Sequence, residues 1–229
     1  MSKPSKNKKK KLTQEEKDRR FYRRMFGIFA GFFRFILALR PRGRENVPTE
    51  GGCMLCINHI AAVDPIAVAA VAPRQLRFLA KKELFRIPIL GWLIRRLGAT
   101  PLDRGGSDVG AIRKIVGLAQ EGEMISVFPQ GHRYPGQNPA DTPVRNGAGM
   151  IAFRSSVPVV PVCLKMKKQR YAPFRRVEVI FGEPISNAEL FPNGEGNSEA
   201  YAAATRRIYT EICKLGGFTP TAEGDVSCK

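Results

Sequence analysis

The chain has 229 residues, 43% of them hydrophobic, which suffices for one sizeable buried core. Its 38 Lys and Arg outnumber 20 Asp and Glu, giving a formal net charge of +18. Such a charge excludes a protein indifferent to anions and selects nucleic acid or a membrane surface as partner.

Residues 1–12, MSKPSKNKKKKL, are too polar and basic to fold alone and are expected as a disordered tail. Residues 13–41 read as a helical segment lying in a membrane interface. It opens on TQEEKDRRFYRR, where Thr13 and Glu16 offer a capping box. It continues into FGIFAGFFRFILAL (26–39), bracketed by Arg23, Arg24, Arg40, Arg42 and Arg44. Interrupted by Arg34, this run is shorter than the ~20 apolar residues that span a bilayer. Basic residues at both ends suit lipid head groups. A helix packed against the rest of the protein is the alternative.

Residues 42–215 alternate short apolar runs with helix-like stretches, the pattern of an α/β domain with a largely parallel sheet flanked by helices. Strands are expected at 53–57, 76–80, 99–103, 124–128, 159–164 and 177–182. Helices are expected at 65–72, 82–97, 107–121, 145–155 and 197–214, and residues 216–229 form a flexible tail. The stretch ELFRIPILGWLIRRLG (83–98) carries the only tryptophan, Trp92, beside Arg95 and Arg96. It reads either as a core helix or as a second membrane-facing surface. Five cysteines and no secretory leader point to a reducing compartment. Cys53 and Cys56 lie within one expected strand, which turns their thiols to opposite faces and makes them core residues.

The stretch NHIAAVDP (58–65) holds one of only two histidines, with Asp64 five residues beyond it. That spacing suits neither one face of a helix nor one face of a strand, so the chain must turn between them. The apolar run 53–57 ends just before His59, and Asp64-Pro65 reads as an N-cap followed by a first-turn proline. The strand-to-helix junction is where α/β proteins place ligands. Two further polar elements follow expected strands: Arg104 after 99–103, and Gln130-Gly131-His132-Arg133 after 124–128. A His held by an Asp is a general base, and two arginines bind a phosphate or carboxylate. No Ser or Cys stands in a nucleophile elbow, so His59 activates a substrate hydroxyl. The Lys81-Lys82 pair either contacts the acceptor or solvates a turn.

NHIAAVDP, GATPLDR (98–104), FPQGHR (128–133) and VPVVPV (157–162) occur in that order. Together they resemble the four blocks of the glycerolipid acyltransferase family, that of 1-acyl-sn-glycerol-3-phosphate acyltransferase. The resemblance covers roughly residues 42 to 185. It implies His59 as general base, Asp64 as its partner, and Arg104, Gly131 and Arg133 at the acceptor phosphate; Gln130 and Lys82 are further candidates there. Gln130 stands where the family usually has Glu, and His132 where it usually has Thr. Both departures read as tuning of the acceptor pocket or a change of acceptor, with the His–Asp pair intact.

The function so implied is transfer of a fatty acyl group from acyl-CoA or acyl-acyl carrier protein to 1-acyl-sn-glycerol 3-phosphate (lysophosphatidic acid), forming phosphatidic acid. The donor is a co-substrate, and no metal or prosthetic group is expected. Glycerol 3-phosphate or another lysolipid is an alternative acceptor. A non-catalytic lipid-binding module is the alternative class, although it has no use for a His–Asp pair. Expected partners are the lysolipid, anionic phospholipids and an acidic carrier protein. Nucleic acid is not expected, because the arginines stand beside Phe, Trp, Leu and Ile in apolar segments. The expected location is the cytoplasmic face of the cell membrane, peripheral or monotopic.

Overall fold

The computed structural model describes residue 27 and residues 30–96, 98–102 and 109–221. A helix, α1 (30–36), leads into a seven-stranded sheet. Its strands are β1 (Leu39–Arg42), β2 (Cys53–Ile57), β3 (Leu76–Lys81), β4 (Ala99–Leu102), β5 (Met124–Val127), β6 (Val159–Met166) and β7 (Val177–Phe181). The helices between them are α2 (Asp64–Ala69), α3 (Pro88–Arg96), α4 (Val109–Gln120), α5 (Gly147–Ser155), α6 (Asn187–Leu190) and α7 (Ser198–Gly216).

The sheet order is β1-β7-β6-β2-β5-β3-β4. Strands β2 to β6 all run one way, as the alternation of strands and helices predicts. The exception is β7, which turns back antiparallel to β6 and takes β1 beside it in parallel. The carboxyl ends of β2 to β6 therefore share an edge with the start of β1 and of β7. β1 itself is a difference from the sequence reading. The apolar run through Leu39 looks like unbroken helix, but Ala38 adopts φ 42° and Leu39–Arg42 pair with Val177–Ile180. The sheet thus begins three residues before the expected domain boundary at 42. The expected tail 1–12, most of the expected interface segment, and residues 222–229 of the expected tail 216–229 lie outside the described residues; Gly216 ends α7 and Phe218 packs on the core.

Both faces of the sheet are covered. Met54 and Cys56 of β2 pack with α4, α5 and α7, while Cys53, Leu55 and Ile57 pack with α2, Leu37 and Leu39. The period-2 alternation sends Cys53 and Cys56 to opposite layers, as their spacing requires. Burial pushes the Cys213 thiol up to about 12 and raises those of Cys53, Cys56 and Cys163, so these four groups behave as core. The two edge strands each carry a proline, Pro41 in β1 and Pro101 in β4.

Helix α7 is fixed at both ends. The Asn197 side chain accepts from Ala200 N–H, and Gly217 closes the other end at φ 64°. It lies so close to α5 that a Cβ on Gly149 would stand 2.1 Å from the Tyr201 carbonyl oxygen. The Gly149 N–H donates to Thr205 Oγ1 at 2.9 Å across the same contact. Gly149→Ala must push the helices apart, and is expected to cost about 1–3 kcal/mol of unfolding free energy, measured by urea denaturation.

Candidate active site

Strand β2 delivers the site. Asn58, the residue after it, takes over the role of strand backbone: its amide donates to the Leu164 carbonyl at 3.0 Å and accepts from Leu164 N–H at 2.7 Å. This pins the end of β2 to β6 and aims His59 off the carboxyl edge. The chain then turns through residues 60–63 into α2. Asp64 Oδ2 lies 2.7 Å from His59 Nδ1, and accepts from Ile60 N–H at 2.6 Å and Ala61 N–H at 2.8 Å. A carboxylate oxygen only accepts, so Nδ1 carries the hydrogen and Nε2 keeps its lone pair. The two residues that five positions hold apart are thus brought together by a turn wrapped around one oxygen.

Asp64 is not the N-cap that the sequence suggests. Val63 precedes the first helical residue, and the Asp64 carboxylate faces back to the turn rather than forward to the helix N–H groups. Pro65 sits in the first turn as expected, where its missing N–H is not needed.

Phe128 leaves β5, the neighbour of β2, and stacks on the imidazole with ring centroids 4.1 Å apart. Gln130 follows. Its expected place at the acceptor is not what the structure shows, for the residue is only 2% exposed. Its Oε1 accepts from the His59 main-chain N–H at 2.5 Å, and its Nε2 donates to Thr142 Oγ1 at 2.6 Å. The Thr142 hydroxyl in turn donates to the Pro139 carbonyl at 2.7 Å. Tyr209 OH lies 2.9 Å from the same Thr142 oxygen, so the Gln130 amide joins a buried network of two hydroxyls and the Pro139 carbonyl.

The cleft beside His59 has a volume of about 410 Å³. Ala62, Val63, Pro65, Ile66, Phe78 and Leu79 give it apolar walls, and Lys81 and Arg133 bring positive charge beside His59. Arg133 lines the cleft beside His59. Of the lysine pair it is Lys81, the last residue of β3, that lines the cleft; Lys82 opens the 3-10 turn that follows. Gly131 does not line it. At φ +67° it lets the chain reverse past the Arg145 side chain, which a Cβ would meet at 3.0 Å. His132 is exposed and outside the cleft lining. Arg104 lies outside the described residues, and the strand before it, β4, is separated from β2 by β5 and β3.

One functional neighbour escaped the sequence reading. Asp64 Oδ1 and the Tyr171 hydroxyl are buried, and neither meets a hydrogen-bond partner at bonding distance among the described residues. The Tyr171 hydroxyl lies close enough to the Asp64 carboxylate to feel its charge. Burial, and then the Asp64 charge, hold the Tyr171 hydroxyl well above the usual tyrosine value of 10.0. Nothing in the polar stretch KKQRYAPFRR (167–176) marks its tyrosine as the one that reaches the site.

Comparison with known proteins follows the same lines. The family model described as Acyltransferase matches residues 38–165, more than half of the chain. The chain belongs to the acyltransferase family. It is similar to the 1-acyl-sn-glycerol-3-phosphate acyltransferase of Bacillus subtilis, at 29% identity over 193 residues, which cover 80% of this chain and 95% of that protein. The enzyme of that name from Streptococcus pneumoniae is 31% identical over 176 residues, covering 75% of this chain and 63% of the other. The crystal structure of the 1-acyl-sn-glycerophosphate acyltransferase of Thermotoga maritima shares the fold. Its TM-score is 0.66 at 23% identity, with 90% of this chain and 83% of that one covered. The acyltransferase match takes in His59, Asp64, Gln130, Gly131 and Arg133, but stops short of Tyr171.

The buried tyrosines make stability depend on alkaline pH. Tyr171 and Tyr209 keep their protons in the folded state after the unfolded chain has lost them. Their contribution is whole below the unfolded value of about 10 and declines above it, by up to about 1.4 kcal/mol per pH unit for each group. Tyr171→Phe removes one of these shares. Urea denaturation of both proteins across roughly pH 9 to 11 should show a shallower decline in the variant.

Proposed function

We propose that the protein transfers a fatty acyl group from a thioester donor to the free hydroxyl of 1-acyl-sn-glycerol 3-phosphate, forming phosphatidic acid. The observation that carries this reading is the His59–Asp64 pair at the mouth of an apolar cleft whose charged lining is cationic. The named relatives act on that lysolipid, which supports the same acceptor.

In this reading the acceptor hydroxyl lies against His59 Nε2. As its oxygen attacks the thioester carbonyl, the proton passes to Nε2 and the C–O bond forms. Collapse of the tetrahedral adduct breaks the C–S bond, and the imidazolium returns its proton to the departing thiolate. Asp64 holds the ring by Nδ1 throughout and stabilises its charged form. Arg133 and Lys81 hold the acceptor phosphate, joined by Arg104 as the family resemblance implies. Gly131 shapes the loop carrying Arg133, and Gln130 fixes the His59 main chain. Lys82, at the start of the 3-10 turn, adds charge near the entrance. The apolar walls take up acyl chain. This chemistry calls for no metal or prosthetic group, since the donor, acyl-CoA or acyl-acyl carrier protein, is a co-substrate. The site works from the cytoplasmic face of the cell membrane as a peripheral enzyme drawn to anionic phospholipid. Among the described residues no helix is long and apolar enough to cross a membrane.

The test is thiol release from long-chain acyl-CoA in the presence of the lysolipid, with product identified by mass. His59→Ala is expected to lower kcat by roughly 10²–10⁴, the range for a lost general base. Equal rates in the two proteins would remove His59 from the mechanism. Arg133→Met is expected to raise the KM for the lysolipid about 10–100-fold, with a smaller change in kcat. An unchanged KM in that variant places the phosphate elsewhere.

A further inference from the structure

The large hydrophobic side chains left exposed among the described residues are Phe32, Phe35, Ile87, Trp92, Val109 and Phe174. Their elements have one thing in common. α1 enters β1 at the carboxyl edge, because β1 runs opposite to β2. The segment with Ile87 and Trp92 leaves β3 at that edge, and Val109 opens the helix that follows β4. Phe174 lies in the connection from β6 to β7. All six therefore belong to elements that begin or end at the edge carrying His59. The loops of the opposite edge carry Glu50, Glu121, Glu183 and Glu195 beside Arg44 and Arg74.

The β6–β7 connection is the unexpected member. Residues 167–176 hold Lys167, Lys168, Arg170, Arg175 and Arg176 with no acidic residue. Arg176 is engaged by Glu178 at 3.0 Å. Lys168, Gln169 and Phe174 all adopt positive φ, a conformation L side chains take only at a cost. At φ 58° Phe174 occupies a position where glycine would be free of strain, and the residue is 65% exposed. A packing role does not account for both facts. Its N–H donates to the Ile36 carbonyl at 2.6 Å, and its ring meets Phe35 edge-to-face at 5.6 Å. The connection is thus fastened to the end of α1 and extends that helix's apolar face. Its inner side reaches the surroundings of the site: the Gln169 carbonyl accepts from Gly136 N–H at 2.9 Å, in the loop whose Tyr134 N–H donates to the His59 carbonyl, and Tyr171 lies near Asp64.

We propose that the β6–β7 connection is a membrane contact of this protein, with Phe174 and Phe35 entering an anionic lipid surface and Lys167, Lys168 and Arg175 meeting its head groups. An exposed aromatic pair flanked by cations of one sign is the chemistry that a bilayer bearing acidic lipid satisfies. Docked in this way, the connection sets the mouth of the cleft against the bilayer, so that a lysolipid reaches His59 without its chain crossing water. The inference rests on the proposed acceptor being a bilayer lipid.

Trp92 is the only tryptophan, so Trp92→Phe/Phe174→Trp places a single reporter in the connection. Mixed with vesicles of phosphatidylcholine and phosphatidylglycerol bearing brominated acyl chains, it should shift to the blue and be quenched. On phosphatidylcholine alone it should not. Unquenched emission from protein that co-sediments with the acidic vesicles, or an absence of binding to them, overturns the proposal. Equal quenching on both vesicles overturns its anionic specificity. Lys167→Gln/Lys168→Gln/Arg175→Gln should weaken partitioning onto acidic vesicles roughly hundredfold, while thiol release on detergent-dispersed lysolipid stays at the wild-type rate. Loss of that detergent rate too would mean a damaged site and overturn the docking role. Failure of the proposed function reads differently: the reporter protein would bind and be quenched while wild-type protein released no thiol.

Discussion

Oδ2 of Asp64 gathers three hydrogen-bond donors, the His59 imidazole and the main-chain N–H groups of Ile60 and Ala61, and the turn from β2 into α2 is closed around that oxygen. Each donor is withdrawn from water, and a buried donor deprived of its acceptor costs roughly 1–3 kcal/mol. The carboxylate therefore serves backbone and chemistry together. It sets the angle at which the chain passes from β2 into α2, and the same bond selects the tautomer of His59. The rest of the site depends on that turn. Asn58 anchors its entrance on β6, Gln130 holds its first peptide N–H, and Phe128 covers the ring.

This layout gives the imidazole rigid support on one side and an open cleft on the other. Support comes from neighbouring strands rather than from loops alone, and strands place groups more reproducibly than loops do. The cleft is mainly apolar, which suits the proposed acyl transfer to an alcohol over hydrolysis. Lys81 and Arg133 confine positive charge to the lining beside His59, leaving most of the walls apolar.

Much of this was legible in the residues. The parallel sheet follows from apolar runs alternating with helical stretches, and the meeting of His59 with Asp64 follows from a spacing that only a turn reconciles. What stayed hidden depends on contacts distant in sequence. Gln130 reads as an acceptor ligand because its neighbours are polar; its burial is decided by Thr142 and by Tyr209, whose hydroxyl lies 2.9 Å from Thr142 Oγ1. Tyr171 is equally opaque, since the reversal of β7 brings it home. Leu39 continues an apolar helix by composition, and only pairing with Val177 makes it a strand. Between Lys81 and Lys82 the choice turns on where β3 gives way to its 3-10 turn, a boundary that composition does not mark.

The prolines of the two outer strands, Pro41 in β1 and Pro101 in β4, acquire a meaning beyond the fold. An open sheet ends in rows of main-chain donors and acceptors that can recruit another strand, and each proline deletes a donor from such a row. In the proposed membrane-docked state, two-dimensional confinement would multiply encounters between copies held in a common orientation. Edge-to-edge polymerisation would then be the natural failure of a seven-stranded sheet, and interrupted outer strands deny it a continuous template.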